Sequence, residues 1–243
     1  MEHQIAENLA VVRRRIADAA RVVGRDPSEV RLLLAVKTQP VAAIRAALDA
    51  GADLLGHNRA QELVATGPAL AEAGVPPHEM HFIGHLQSNK VNQVLRWATC
   101  VQTVDTLRLA ERLDAAAARR GAAEGDGAPL DVMVQVNTSG EATKAGVEPD
   151  RATELAIAVA ALPHLRLRGF MTIGANSPDV DVVRDSYETL AAVRARVLAA
   201  GAPGTGEATE LSMGMSGDLE LAVAAGATMV RVGTAVFGAR PPA

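Results

Sequence analysis

A lysine directly follows a run of five apolar residues near the start of the chain. Residues 32–36 read LLLAV, and Lys37 comes next. Of the 24 basic residues only Lys37, Lys90 and Lys144 are lysine, so arginine supplies nearly all of the positive surface charge. Because desolvation makes a lysine amine more reactive, a lysine at the end of a buried strand suits imine formation with a carbonyl compound. Lys37 is therefore the first candidate catalytic residue.

Polar side chains also follow other apolar runs along the chain. They are Thr38 beside Lys37, the triplet His57-Asn58-Arg59, His85 with residues 87–90, the triplet Asn137-Thr138-Ser139, the pair Ser212-Met213, and Arg231 with Gly233 and Thr234. In a parallel barrel the carboxyl ends of the strands meet at one rim, and chemistry takes place there. We expect these polar residues and all three lysines to lie on that rim.

The end of the chain contains two turns that are rich in small residues. ELSMGMSGDLELAVAAGATMVRVGTAVFG has one turn near Ser216 and a second at Gly233 and Thr234. Exposed backbone N–H groups in such turns favour phosphate binding, although the glycines could merely form tight turns and Ser216 could cap a helix. A phosphate site opposite a buried lysine suggests pyridoxal phosphate (PLP), and a Schiff-base aldolase acting on a sugar phosphate would use the same parts.

The elements that must position these residues alternate between short β-branched runs and helical segments. The predicted strands are residues 32–36, 53–56, 80–84, 100–104, 130–137, 166–173, 209–213 and 228–232. Eight such units in about 240 residues favour an α/β fold of the (β/α)8 (TIM) barrel type. A doubly wound open sheet is the alternative, but its usual GxGxxG fingerprint is missing. We expect a single domain over residues 1–243, with an extra helix over residues 4–23 before the first strand.

Composition narrows the classes of partner. A net charge of -4 and an aromatic content of 2% provide neither a basic footprint nor stacking platforms, which argues against nucleic acid. No uncharged apolar run approaches the roughly 20 residues that span a bilayer, and the charged N-terminal segment is unlike a signal peptide. Cys100 is the only cysteine, which suits a reducing compartment. We expect a cytoplasmic protein without membrane contact, for which a monomeric state is plausible.

A metal site is not expected. His81 and His85 have HxxxH spacing, but HFIG reads as a strand entering a turn. Four strand residues span about 13 Å, which is too far for both imidazoles to bind one metal ion. His81 is better interpreted as a strand residue that helps line the barrel. For Lys144 two interpretations stay open, namely contact with an anionic ligand on the rim or an ion pair with Glu141.

Several motifs together resemble a known family. LLLAVKT, GHNRAQEL, HFIGHLQSNKV, VNTSGEATKAG, RGFMTI and LSMGMSGDLELAVAAGATMVRVGTAVFGAR occur in order from about residue 5 to residue 240. They resemble the YggS/PROSC family of pyridoxal phosphate homeostasis proteins, which is related to the barrel domain of bacterial alanine racemase. The resemblance covers essentially the entire chain, and the final motif is highly specific.

The resemblance implies a role for each matching residue. Lys37 would form the internal aldimine with PLP, Asn58 would border the ring, and Arg231 would face the pyridine nitrogen. The phosphate would be held by Ser212, Gly233 and Thr234, and we also count His81 and Met213 among the expected cofactor contacts. Two departures stand out, because family members usually have Ser or Thr at the position of Val36 and Glu at the position of His57.

The expected chemistry depends on Arg231. A guanidinium stays protonated, so it can only donate to the ring nitrogen, and the cofactor then becomes a poor electron sink. Racemisation also needs acid–base groups on both faces of the substrate carbon. In alanine racemase the second base is a tyrosine from an added β-domain, whereas Tyr187, the only tyrosine here, lies in a helical segment. We therefore favour a carrier or buffer of PLP that supplies PLP-dependent apo-enzymes; weak amino-acid racemase activity is the second interpretation, and the aldolase is the third.

Overall fold

The computed structural model describes residues 2–124, 127–141 and 143–238, and within them eight parallel strands close into a barrel. Strand order follows chain order, and β1 pairs with β8. The strands are β1 (Arg31–Ala35), β2 (Leu54–His57), β3 (Glu79–Phe82), β4 (Cys100–Val104), β5 (Leu130–Gln135), β6 (Leu165–Met171), β7 (Glu210–Ser212) and β8 (Met229–Val232). The predicted (β/α)8 barrel is confirmed, and every predicted strand overlaps an observed one.

Helices surround the barrel. They are α1 (Glu2–Val22), α2 (Val41–Asp49), α3 (Ala60–Glu72), α4 (Val91–Val94), α5 (Leu107–Glu124), α6 (Ala152–Ala160), α7 (Val180–Ala200), α8 (Leu219–Ala224) and α9 (Thr234–Phe237). Helix α7 shows how local sequence sets the limits of a helix. The Asp179 carboxylate accepts a hydrogen bond from the N–H of Asp181 at its start, and Gly201 ends it with a left-handed φ of 61°.

Helix α1 precedes the repeating strand–helix units and packs against the outside of the barrel. Its buried residues recur at helical spacing, which gives the helix one apolar face: Ile5, Leu9, Val12, Ile16 and Ala20. That face contacts α2, α8 and α9. The extra N-terminal helix predicted over residues 4–23 is thus present, while residue 1 and residues 239–243 of the predicted domain lie outside the described part of the chain.

The apolar residues form two layers. The larger layer fills the space between strands and helices, and a smaller cluster occupies the barrel interior with Leu33, Leu54, Cys100, Met133, Met171 and Met229. We call the positions that directly follow the eight strands the carboxyl rim, and the positions at which the strands begin the amino rim. Among the described residues, no helix is both long and apolar enough to cross a membrane.

Candidate functional site

A cavity of about 370 Å³ opens at the carboxyl rim. This volume lies in the range of small-molecule sites. Five residues predicted from sequence share its wall, namely Lys37, Asn58, Arg231, Gly233 and Thr234. These residues come from the ends of β1, β2 and β8, so the closed barrel brings together positions that are almost 200 residues apart in the chain.

Lys37 lies two residues beyond β1 and is half-buried on the cavity wall. Its Nζ makes no hydrogen bond or ion pair with any residue in the described ranges. The next residue, Thr38, has a left-handed φ of 62°, and its hydroxyl donates to the Lys37 carbonyl at 2.6 Å. A left-handed β-branched residue is strained, and such strain often occurs at functional turns. The amine therefore lies on a sharply defined turn and is free to react.

Arg231 is a buried cation between the cavity and the barrel interior. It is 6% exposed, its Nη1 donates to Ser212 Oγ at 2.9 Å, and its Nη2 donates to the Thr172 carbonyl at 2.7 Å. Burial lowers the pKa of the Arg231 guanidinium to about 10, so the group is still protonated at neutral pH. A ligand in the cavity therefore faces a hydrogen-bond donor that cannot act as an acceptor.

A chain of hydrogen bonds continues from Arg231 through the barrel interior. Ser212 Oγ donates to Gln102 Oε1 at 2.7 Å, which leaves the Gln102 amide nitrogen facing His81 Nδ1 at 2.8 Å. His81 Nδ1 is then the acceptor, which assigns the donor role to Nε2, 3.2 Å from Glu79 Oε2. Every donor in the chain thus points from the guanidinium towards the carboxylate.

Glu79 ends this chain at the amino rim. Its carboxylate also accepts a hydrogen bond from Arg31 at 2.7 Å. The hydrogen bond from His81, together with the contact to Arg31, lowers the pKa of Glu79 to about 2 although burial opposes the shift. The carboxylate is therefore ionised at neutral pH, and the chain joins a fixed cation at one rim to a fixed anion at the other.

Two turns of small residues also line the cavity. In the first, Asp218 Oδ1 accepts from the N–H of Met215 at 2.6 Å and the N–H of Asp218 donates to the Met215 carbonyl at 3.2 Å. Ser216 and Gly217 lie between Met215 and Asp218. Their backbone N–H groups donate to no acceptor in the described part of the chain. Unsatisfied backbone donors at a cavity favour an anionic ligand.

The second turn holds Gly233 and Thr234. A Cβ at Gly233 would lie 3.0 Å from the Ala35 carbonyl oxygen, so a larger residue would force the end of β8 away from the end of β1. The Thr234 hydroxyl lies 3.4 Å from the Ser216 hydroxyl and so links the two turns. The two hydroxyls and the free N–H groups form one donor-rich patch on the cavity wall.

Asn58 is positioned by a close backbone contact. A Cβ at Gly84 would lie only 1.9 Å from the Asn58 carbonyl oxygen, so only glycine permits the segment after β3 to pack there. The Thr103 hydroxyl donates to the Gly84 carbonyl at 2.7 Å and holds that segment in place. Asn58 itself is half-buried and contributes to the cavity wall.

A family model described as alanine racemase, N-terminal domain, matches residues 3–241 of the chain. The chain belongs to this family. A protein of Escherichia coli (strain K12) named pyridoxal phosphate homeostasis protein is 45% identical over 242 residues, which cover 98% of this chain and 97% of that protein. The family resemblance predicted from the motifs is thereby confirmed.

Solved structures agree with this assignment to the racemase-domain family. PipY of Synechococcus elongatus PCC7942, determined with PLP bound, is 33% identical, covers 96% of this chain and 100% of that chain, and has a TM-score of 0.81. A protein of Bifidobacterium adolescentis described as unknown is 40% identical, covers 97% and 95% of the two chains, and has a TM-score of 0.88. The chain therefore matches these relatives over nearly their whole length.

Three expected cofactor contacts of this racemase-domain protein do not lie on the cavity wall. His81 and Ser212 belong to the hydrogen-bonded chain inside the barrel, and Met213 is fully buried in the layer between strands and helices. Their contacts with a cofactor stay predictions.

Ser216 and Gly217 line the cavity, whereas the sequence indicated only a turn or helix-cap role for Ser216. Helix α8 has Asp218 at its N-cap position, without a side-chain hydrogen bond, so Ser216 does not cap it.

Other polar residues of this family member lie away from the cavity. His57, at the position of the family's usual acid, is 1% exposed, and neither ring nitrogen has a partner among the described residues. Burial, with a smaller effect of His78, lowers the pKa of His57 to about 4, so the ring is neutral at pH 7.

Lys144 Nζ lies 2.7 Å from Glu141 Oε1 and 3.1 Å from the Gly174 carbonyl, which supports the ion-pair interpretation. No group of three His, Cys, Asp or Glu residues suitable for a metal ion occurs in the described ranges.

Proposed function

We propose that this protein binds pyridoxal 5'-phosphate through Lys37 and acts in PLP homeostasis as a carrier or buffer. The observation that carries the proposal is the pairing of one unpartnered lysine amine with two donor-rich turns across a single cavity. The cofactor supplies an aldehyde, which condenses reversibly with a primary amine, and a phosphate, which needs hydrogen-bond donors. The cavity provides an amine for the aldehyde and hydrogen-bond donors for the phosphate.

The residues on the wall fit such a ligand. Ser216, Gly217 and Thr234 would hold the phosphate with backbone N–H groups and hydroxyls, and Arg231 would donate to the ring nitrogen. Asn58 would border the ring, as the family resemblance implies. The name of the Escherichia coli relative and the PLP in the PipY structure support this ligand over the sugar phosphate of an aldolase.

A carrier is favoured over a racemase because the described wall of the cavity offers no second acid–base group. Among the described wall residues, only Lys37 and Arg231 are titratable, and the guanidinium does not exchange protons at neutral pH. Tyr187 is fully buried in α7 and does not line the cavity, and burial raises the pKa of its hydroxyl well above its ordinary value. A substrate carbon held at Lys37 would thus meet a proton carrier on one face only.

The partners of this carrier are part of the proposal. We propose that PLP-dependent apo-enzymes receive the cofactor and that the protein works in the cytoplasm, a location that its single buried cysteine, Cys100, supports. We propose a monomer as the working form, in which Lys37, Arg231 and the two turns of the same chain bind PLP.

A titration with PLP tests the proposal. We expect the wild-type protein to develop a visible absorption band with one PLP per chain, and Lys37→Ala to develop none. Loaded protein mixed with an apo-transaminase is expected to restore transaminase activity, whereas D- and L-alanine should keep their optical purity. A wild type without the band would refute cofactor binding, and rapid racemisation of alanine would favour the enzyme interpretation.

A further inference from the structure

Helix α1 reaches the two donor-rich turns from outside the barrel. It packs against α8 and α9, and these short helices begin directly after the two turns. Two polar side chains of α1, Asn8 and Arg15, cross this interface and hydrogen-bond to backbone carbonyls next to the cavity wall. Neither side chain lines the cavity itself. Their contacts suggest that α1 controls the shape of the turns.

Arg15 joins the first turn to the helix that follows it. Its Nε and Nη2 lie 2.8 and 3.0 Å from the two carboxylate oxygens of Glu220 in α8, and its Nη1 donates to the Ser216 carbonyl at 3.1 Å. A bidentate pair of this kind fixes the orientation of the guanidinium plane. Arg15 therefore holds the Ser216 carbonyl at a defined position on the α1 side of the turn.

The orientation of that carbonyl determines where the next N–H points. In a planar trans peptide the C=O of Ser216 and the N–H of Gly217 point in opposite directions. Because Arg15 binds the carbonyl from outside, the Gly217 N–H is directed away from α1, and Gly217 lies on the cavity wall. Without Arg15 this peptide, which is flanked by a glycine, could rotate more freely.

Asn8 provides a similar contact at the second turn. Its Nδ2 donates to the Val236 carbonyl at 3.0 Å, and its Oδ1 accepts from Gln4 Nε2 at 3.0 Å, which orients the amide. Val236 lies in α9, two residues after the wall residue Thr234. Asn8 thus anchors the one-turn helix that carries the second set of donors.

We propose that Arg15 and Asn8 are positioning residues that set the affinity of the cavity for the phosphate group of its ligand. The inference rests on the proposed function, because PLP is the ligand considered. It assigns to α1, which stands outside the eight strand–helix units, a role in binding as well as in packing. The effect should depend on the phosphate and not on the aldehyde, because both contacts act on the turns and neither acts on Lys37.

The test compares PLP with pyridoxal, which has the same aldehyde and no phosphate. Dissociation constants of Arg15→Ala and Asn8→Ala for both aldehydes would be measured from the visible band, each as a ratio to wild type. We expect Arg15→Ala to bind PLP about tenfold more weakly, as for one lost charge-assisted contact, and pyridoxal within about twofold of wild type. Asn8→Ala should show a smaller loss in the same direction.

Arg13 offers a matched control on the same helix. Its guanidinium also donates to backbone carbonyls, those of Ala50 and Gly51, but these follow α2 and lie far from the two turns in the chain. Arg13→Ala should leave both dissociation constants unchanged. An equal loss of PLP and pyridoxal binding in Arg15→Ala, or no loss of either, would overturn the inference.

A second readout separates this inference from the proposed function. Inorganic phosphate should raise the melting temperature of the wild type and of Arg13→Ala, and raise that of Arg15→Ala much less. If the wild type forms no visible band with PLP but shows this phosphate pattern, the proposed function fails and the positioning role stands. If the band forms and the phosphate shift is the same in all three proteins, the positioning role fails alone.

Discussion

The two rims of the barrel differ in how many of their cations form ion pairs. The amino rim pairs its cations across neighbouring strands: Arg31 with Glu79, Arg166 with Asp131, and Arg168 with Glu207 and Glu210. At and beyond the carboxyl rim the side chains of Lys37, Arg59 and Lys90 have no hydrogen bond or ion pair with the described residues, whereas Lys144 pairs with Glu141 and Arg231 donates two hydrogen bonds. The amino rim thus uses its cations in ion pairs between strands, whereas the carboxyl rim leaves several of its cations unpaired, including Lys37 on the cavity wall.

The interior chain connects these two regions. It begins at Glu79 on the amino rim, passes through His81, Gln102 and Ser212, and ends at Arg231 beside the cavity. A substitution at the carboxyl rim should therefore change ligand binding with little effect on stability, and one at the amino rim should do the reverse. Substitutions within the chain should affect both, and this contrast can be tested residue by residue.

The largest effect is expected for Arg231→Met. The variant loses the one buried side-chain donor among the described wall residues, and a hydrogen bond from a charged group contributes about 1.5–3 kcal/mol. We expect the dissociation constant for PLP to rise about 10- to 100-fold, measured by titration of the visible band. Binding within twofold of wild type would mean that Arg231 belongs to the structural network alone.

Gln102→Leu should change both properties. The substitution leaves His81 Nδ1 without a donor and the proton of the Ser212 hydroxyl without an acceptor, although Ser212 Oγ still accepts from Arg231; each such buried group costs about 1–3 kcal/mol. We expect a lower free energy of unfolding in urea together with weaker PLP binding. Gln61→Leu, on the exposed face of α3, is the control and should stay within about 0.5 kcal/mol of wild type. A free energy of unfolding equal to that of wild type in Gln102→Leu would show that the hydrogen bonds of Gln102 do not stabilise the fold.

Glu79→Gln should change the acid dependence of stability. The pKa of Glu79 is about 2 in the folded protein and ordinarily 4.5, so its contribution is present above pH 4.5 and is lost as the pH falls towards 2. Urea unfolding of the wild type and the variant should therefore differ most at neutral pH and converge through this window. A constant difference from pH 7 to pH 2 would contradict the proposed ionisation.

The smallest effect is expected for Arg168→Gln. Arg168 pairs with two carboxylates on the amino rim, and its side chain is about one-third exposed. Exposed ion pairs contribute roughly 0–1 kcal/mol, so stability should fall by at most that amount and PLP binding should not change. A change in PLP affinity larger than twofold would break the division of roles between the two rims.

The sequence predicts most of the fold because its signals repeat. Eight β-branched runs alternate with helical segments, and this rhythm specifies a barrel even though individual strand ends differ by one or more residues from the prediction. The rule that strand ends share one rim then brings Lys37, Asn58 and Arg231 together correctly. Helix α1 was equally predictable from its apolar face.

The interior chain could not be predicted, because sequence does not reveal which side of a fully buried strand faces the barrel axis. Every residue of β4 is buried, so the pattern CVQTV does not indicate the direction of Gln102. Ser212 is aligned with Met171 on one side and Met229 on the other, and both methionines belong to the interior cluster. That register turns Ser212 inward, and the phosphate contact that the family resemblance implies for Ser212 stays a prediction.

Reduction of the PLP-loaded protein with borohydride, followed by peptide mapping, tests the central claim most directly. Borohydride makes the bond between the cofactor and an amine permanent, and the three lysines of the chain fall in different peptides. We predict one modified site per chain, at Lys37. Modification mainly at Lys90 or Lys144, or no modification of a protein that carries PLP, would contradict the account.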